Sequence, residues 1–570
     1  MVFRNKSNDD LKIKLKAMQE RIRTYEPLIS DTMKYLGGDK IKYIVFLSVC
    51  GAESRAFVCK GMGNTIDTGW KNAADLLNKH IRETGIDPVW IKADLVTDVQ
   101  EYTFGSFMDY ISGIKTNYFR EGIAFDPMFN TAFLEQEVNA NVFIDKDNKN
   151  KSLPAKIIWN NINFYLKKNQ GIKNRELDGE TVKNVYTFKT VACFHDGKTS
   201  MDLLNGRLDN GRRNIDKLDK AFLNKVIGDA AHFLAEQVYD SGMFRYGYFP
   251  CFDKEVPSYN ILRHASSTYA MIEAYEIVRD PALAAAIERS LSYLEREGIE
   301  TGKGSDGVER AFVIERSRDD EIKLGANAAA ILAMAKYTKV FGDDRFKDMM
   351  IKLGNGIAYF QNQEDGSYVH VLNFPDLSIK DRQRVIYYDG EATFALMRLY
   401  DIDRDQRWLD MAEKAFEHFI SEKYWRHSDH WLSYCSNELI KYKPDRKYID
   451  FNLQNASGIL DFCLIRETTY PTLLELLMAT YHTISKIRSD QIHTDLMDDF
   501  DEEKFMKALQ HRAEYQLNGL FFPEFAMYFK APSKIAGAFY IRHHSFRSRI
   551  DDNEHYISGY CNYYNMIAKD

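Results

Sequence analysis

The chain has 570 residues, 45% apolar and 28% charged, with 76 basic and 83 acidic side chains and a formal charge of −7. That balance belongs to a folded chain of two or more domains and argues against nucleic acid or an anionic membrane surface as the main partner. No stretch approaches the roughly 18 apolar residues of a transmembrane segment, and the seven scattered cysteines form no C-x-x-C pair, so neither a disulfide framework nor a structural zinc is expected.

The N-terminus, "MVFRNKSNDDLKIKLKAMQERIR", lacks the apolar run and cleavage site of a secretory signal. A cytoplasmic location is the expectation. Residues 10–36 read as one polar-faced helix leading into "GGDK", so 1–40 is taken as an N-terminal helical segment. From 41 to 204 strand and helix patterns alternate in an α+β domain. "IKYIVFLSV" and "AFVCKG" pair as strands, "TGWKNAADLLNKHIRETG" is an amphipathic helix closed by Gly85, and "PVWIKADLV" returns as a strand. "DKDNKNKSLPAK" (145–156) is a solvated loop, "VKNVYTFKTVACFHDGK" (182–198) a further strand or hairpin, and 205–217 a linker.

From 218 to 570 the apolar runs turn helical and repeat. "RHASSTYAMIEAY" (263–275), "GANAAAILAMAKY" (325–337), "YDGEATFALMRLY" (388–400) and "HWLSYCSNELIKY" (430–442) each end in Tyr, the first three Tyr being 62 and 63 residues apart. The first three are each followed by a more charged helix opening on an acidic turn. Strand-like insertions such as "SDGVERAFVIE" and "EDGSYVHVLNFP" lie between one pair and the next. Inner helix, outer helix and hairpin together predict an all-α (α/α)6-type toroid with β-hairpin insertions.

Parallel inner helices bring their N-termini to one face, where unpaired backbone N–H groups and positive dipole ends collect. The residues in those first turns are the candidate site. "YYDGE" supplies Tyr388, Asp389 and Glu391, although Asp389 alone also reads as a helix cap. The equivalent turns carry Arg263–His264 and Asp429–His430–Trp431, residue types that caps do not require. Arg549, Asp551, Asp552, Glu554 and His555 fall just before the final helix, which is expected to be the last inner one, and a hairpin with Arg245 and Tyr248, then Tyr259, overhangs the mouth. Tyr388, Asp389, Glu391, His264, Asp551 and Asp552 are the catalytic candidates. Arg245, Tyr248, Tyr259, Arg263, His430, Trp431, Arg549 and His555 are the substrate-binding ones. Histidine spacing fits no metal-ligand pattern, G-x-G-x-x-G, G-x-S-x-G and H-E-x-x-H are absent, and no metal or cofactor is expected.

Over about 350 residues this grammar, and "YYDGEATFALMRLYDIDRDQRWLDMA" in particular, resembles the six-hairpin-glycosidase-like (α/α) toroids, most of all the C-terminal domain of D-glucuronyl C5-epimerases. The resemblance transfers no individual role and does not reach residues 1–200. It implies a carbohydrate-active enzyme with a saccharide substrate. On the residues, three functions stay open. The first is proton abstraction at C5 of a uronic-acid-containing saccharide, by epimerisation or elimination, in envelope polysaccharide metabolism, with Arg263 and Arg245 or Arg549 clamping the carboxylate. The second is glycoside hydrolysis by carboxylates paired across the bond. The third is a non-catalytic glycan-binding or scaffold protein whose N-terminal domain engages a protein partner.

Overall fold

The structure is a computed structural model that describes residues 2–35, 42–147, 150, 152–170, 172, 176–206, 209 and 211–568. The "GGDK" turn and parts of the 145–156 loop and the 205–217 linker lie outside the described residues. Two compact units result, and neither is continuous. The first holds Met1–Lys217, Tyr248–Lys254 and Asn518–Ser548, and the second Leu218–Gly247, Glu255–Leu517 and Arg549–Asp570. Residues 248–254 and 518–548, expected in the toroid, therefore pack in the first unit. Tyr528 explains part of this: its hydroxyl is 2.9 Å from that of Ser48, and Met527 O accepts the Ala56 N–H at 2.7 Å.

In the first unit α1 (Val2–Thr24) stops before Pro27, which lacks the N–H a continuing helix needs. The single helix expected over 10–36 is thus split, with Thr32–Tyr35 a separate turn. Leu11, Leu15, Met18 and Ile22 recur at helical spacing and bury α1 against the sheet core. That sheet is antiparallel through β1 (Tyr43–Cys50), β2 (Phe57–Gly63), β3 (Trp90–Thr103) and β4 (Asn184–His195), in the order β2-β1-β3-β4. The α2 helix (Ile66–Thr84) is capped by Thr65 and ends on Gly85 at φ 70°. It lies so close to β2 that a Cβ on Gly61 would come within 2.1 Å of Gly69 O. A short helix, α3 (Glu135–Ala140), is buried along its whole length although it reads "EQEVNA". Its charges have partners: Tyr165 OH donates to Glu137 Oε1 at 2.6 Å, and Arg120 and Arg542 lie 3.5 and 3.6 Å from Glu135 Oε1.

The second unit alternates outer and inner helices. The outer ones are α4 (Lys220–Glu236), α6 (Pro281–Tyr293), α8 (Lys347–Phe360), α10 (Gln406–Ser421), α12 (Arg446–Ser457) and α14 (Glu502–Tyr515). The inner ones are α5 (Ile261–Val278), α7 (Leu324–Phe341), α9 (Tyr387–Asp403), α11 (His430–Leu439), α13 (Thr472–Asp490) and α15 (Ile550–Ile567). Among the described residues each inner helix packs on the next, and α15 closes on α5. This is an (α/α)6 toroid, the six-hairpin architecture that the sequence resemblance implies. Inner helices are enclosed on nearly every side, which is why α7 can be "GANAAAILAMA" with Leu324 to Ala335 all buried and no polar face. Two of the expected insertions join into one structure. Ile299–Lys303, Glu309–Glu315, Glu321–Lys323, Val371–Asn373 and Ile379–Asp381 form a five-stranded antiparallel sheet. No helix among the described residues is long and apolar enough to cross a membrane.

Candidate functional site

The first turns of the inner helices do converge. Arg263 of α5 reaches across to α15, where its Nε lies 2.9 Å from Asp551 Oδ2, and the same oxygen is 3.0 Å from Arg549 Nη2. Arg263 also donates to Tyr246 OH. Ser266, one turn further along α5, donates to Glu554 Oε2 at 2.6 Å. The next residue, His555, places Nδ1 2.9 Å from Glu475 Oε2 on α13. The His555 ring stands 5.4 Å, centroid to centroid, from that of His430 on α11. Since α11 and α15 are not neighbours in the ring, this contact lies inside it.

Glu391 of α9 is 6% exposed, and its Oε2 has no hydrogen-bond partner. Gly325 on α7 makes room for it, because a Cβ there would sit 2.1 Å from Glu391 Oε2 and 2.6 Å from Tyr388 Cδ1. Burial, then the nearby Asp429 and Glu554 carboxylates, raise the Glu391 carboxyl well above its ordinary range. Glu554 is on α15, opposite α9, so this interaction crosses the ring axis.

The two histidines are driven apart. Burial pushes His430 down to about 3, and Nδ1 sits 3.2 Å from Asp429 Oδ1 while Nε2 is buried without a partner. Burial would also lower His555, but the Glu554 and Glu475 carboxylates outweigh it and raise the imidazolium to about 10. Burial holds Glu554 itself at about 7. The axis therefore carries a neutral histidine facing a protonated one. Deeper in, Arg398 Nη2 pairs with Glu438 Oε1 at 3.1 Å, and Tyr434 OH donates to Glu475 Oε1 at 3.3 Å.

Several sequence candidates fall elsewhere. His264 faces the outer shell: its Nδ1 meets Tyr259 OH at 2.7 Å and its Nε2 meets Ser290 O at 2.9 Å, so both nitrogens are engaged. It and Tyr259 bond to each other within the protein, and burial lowers His264 to about 4. Asp389 also points outward, where Oδ2 accepts from His370 Nε2 at 2.8 Å. The physical reason is spacing, since residues i and i+2 of a helix lie on opposite faces and Glu391 has taken the axis. Asp552 closes a capping box, accepting the Arg549 N–H at 3.1 Å and pairing with Arg549 Nη2 at 3.1 Å. Trp431 packs between α9 and α11 against Phe394 and Tyr434, with ring centroids at 6.0 and 5.8 Å. Arg245 is held by Glu255 at 2.7 Å, and Tyr248 belongs to the first unit, under Lys534 Nζ at 5.8 Å.

The sequence reading missed Glu475 and Ser266, and it placed Glu554 in the polar cluster before the last helix without making it a site candidate. A signal was present for the first: "TLLELLMA" holds one carboxylate in an otherwise apolar run, and a buried charge there needs a partner. His430, Glu475 and His555 are the described trio able to hold a metal ion, with ligand atoms within 4.8 Å of one another. Glu475 and His555 already satisfy each other at 2.9 Å, so the set fits a bound proton at least as well as a cation.

No family model and no curated protein matches the chain. Among solved structures it is similar to cellobiose 2-epimerase from Bacillus thermoamylovorans B4167, at 13% identity over 61% of this chain and 99% of that one, with a TM-score of 0.47. It is similar to a D-mannose isomerase at 14% identity over 62% and 99%, with a TM-score of 0.46. An unsaturated glucuronyl hydrolase specific for heparin aligns at 13% identity over 62% and 99%, with a TM-score of 0.43. The toroid assignment stands on the closed helix ring and borrows nothing from these likenesses.

Proposed function

We propose that the protein is a carbohydrate-active enzyme that moves a proton at a sugar carbon next to a carbonyl, as an epimerase or isomerase does. One observation carries this reading: His430, with Nε2 open, stands 5.4 Å from His555 inside the ring. There burial favours the neutral form of the first, and the Glu554 and Glu475 carboxylates favour the charged form of the second. Environments that push two titratable groups apart assign a base and an acid. His430 Nε2 takes the proton as the C–H bond breaks, and the released electron pair forms an enediolate on the neighbouring carbonyl. The His555 imidazolium donates to the developing oxyanion, joined by the Glu391 carboxyl, whose protonated form burial favours. Reprotonation of the same carbon from the opposite face gives the epimer, and reprotonation of the neighbouring carbon gives the isomer.

The carboxylate clamp expected from Arg263 and Arg549 is occupied by Asp551 and Asp552. Those guanidiniums still offer N–H donors to sugar oxygens, but little unmatched charge for a uronate. The favoured substrate is therefore a neutral saccharide with an open-chain carbonyl, and a uronate is the second choice. The test is proton NMR of glucose, mannose, cellobiose and glucuronate incubated with the protein in D2O. Exchange of a carbon-bound proton with solvent is the expected result, and its absence in all four overturns the reading.

Glu391 favours one other function. A protonated carboxyl with an open oxygen, facing the carboxylates across the ring, is the general acid that glycoside hydrolysis requires. Release of reducing ends from a glycan without deuterium uptake would select it.

A further inference from the structure

Inside the ring, His430 of α11, Glu475 of α13 and His555 of α15 each offer one metal-ligating atom, and the three atoms lie within 4.8 Å of one another. The ligands come from three separate helices, which is why no metal spacing shows in the sequence. Zinc bonds of about 2.0–2.2 Å in a tetrahedral site hold ligand atoms roughly 3.3 Å apart. His555 Nδ1 and Glu475 Oε2, at 2.9 Å, are closer than that already. The whole trio lies within about 1.5 Å of that spacing.

The surroundings suit a ligand set. His430 is 3% exposed and its Nε2 has no hydrogen-bond partner, while Asp429 Oδ1 stands 3.2 Å from Nδ1. Tyr434 OH donates to Glu475 Oε1 at 3.3 Å, which leaves Oε2 turned to His555. Outer partners of this kind orient the histidines and carboxylates of metal sites. Glu554 Oε1, 3.8 Å from His555 Nδ1, adds a second carboxylate beside the trio. The His555 side chain is 23% exposed, so an ion has an entry from solvent. Two imidazoles select a transition metal, because calcium and magnesium take oxygen ligands.

We propose that His430, Glu475 and His555 bind one divalent transition-metal ion of the zinc type, through His430 Nε2, Glu475 Oε2 and His555 Nδ1, with solvent water completing the coordination. The ion replaces the hydrogen shared by His555 and Glu475, which leaves to solvent as a proton. It also takes the lone pair that His430 uses as a base, so the bound metal switches proton transfer off. The binding stands on geometry alone, and only the inhibition rests on the proposed function.

The test is titration of the EDTA-treated full chain with Zn2+ by calorimetry and with Co2+ by visible absorption. One equivalent binds, and affinity falls at least about tenfold in both His430→Gln and Glu475→Gln. His264→Gln, which removes a histidine outside the trio, keeps it. Should Glu475→Gln fold poorly, His430→Gln carries the comparison. No binding of either ion, or equal binding by the parent and both trio variants, overturns the proposal. Deuterium exchange into the four sugars is read with and without Zn2+. Exchange that stops with Zn2+ and returns with EDTA supports the site, and exchange at full rate with the ion bound overturns it. Exchange without any ion binding refutes the site alone, whereas binding without exchange in the metal-free protein refutes the reaction alone.

Discussion

Toward the outer shell, the buried His264 and His370 use both ring nitrogens. His264 bridges Tyr259 and Ser290, and His370 bridges two backbone N–H groups and Asp389. Toward the ring axis, His430 leaves Nε2 unmet, Glu391 leaves Oε2 unmet and Asp551 leaves Oδ1 unmet. Both regions bury polar atoms at similar depth, so burial by itself does not mark a functional group. Incomplete satisfaction on several converging elements is more telling, because a fold gains nothing from a buried acceptor without a donor. His264 and His370 hold helices to neighbouring elements, whereas the unmet atoms of Glu391, His430 and Asp551 lie on converging helix starts and await a partner there.

The strongest break of this contrast comes from His430→Gln. Removing a general base costs about 10³-fold in turnover, and exchange measured by NMR should fall by that much while thermal unfolding barely moves. His370→Ala should do the reverse. It strands the Asp389 carboxylate, 2% exposed, without its donor, and leaving a buried charge unpaired costs about 3 kcal/mol. Urea unfolding should show that loss, with kcat per folded molecule unchanged. Equal loss of turnover in both variants would erase the distinction between the two sides.

The pH dependence of stability should separate the groups again. His264 and His430 are held neutral, at about 4 and about 3 against an ordinary 6.5. Over that interval the unfolded chain binds more protons than the fold, so stability is lost as pH drops from 6.5. His555 behaves oppositely. With its folded value raised to about 10, its contribution is complete below 6.5 and drains away as pH climbs toward 10. Denaturant midpoints from pH 4 to 10 should therefore peak near neutrality. His555→Gln should flatten the alkaline limb and His264→Gln the acid one.

Much of this was legible before any coordinates. Tyr-terminated repeats at near-constant spacing exposed the inner helices, because an enclosed helix must be small or apolar throughout and so repeats its composition. Convergence of Arg263, Glu391, His430 and His555 followed from parallel helix starts alone. Which way each side chain turns did not, since a helix enclosed on all sides has no polar face to give the direction. That is why His264 and Asp389 read as catalytic alongside Glu391, and His430 only as substrate-binding. Glu475 was hidden for a related reason: its partner is set by ring closure, with His555 80 residues away. In the first unit, "EQEVNA" is polar in sequence and buried in the fold, and only the tertiary partners of Glu135 and Glu137 account for it.

Glu391→Gln gives the smallest and most discriminating shift. If the carboxyl is already protonated at neutral pH, an amide of the same shape replaces one neutral donor with another, and stability should stay within about 0.5 kcal/mol of the parent. In the proton-transfer reaction Gln still donates to the oxyanion, so turnover should drop only about tenfold. A hydrolase cannot tolerate the change so lightly, because an amide has no proton to give a leaving group and the loss should approach the ~10³-fold or greater cost of a missing general acid. The size of that one rate change thus tells whether the open oxygen on the axis stabilises charge or delivers a proton.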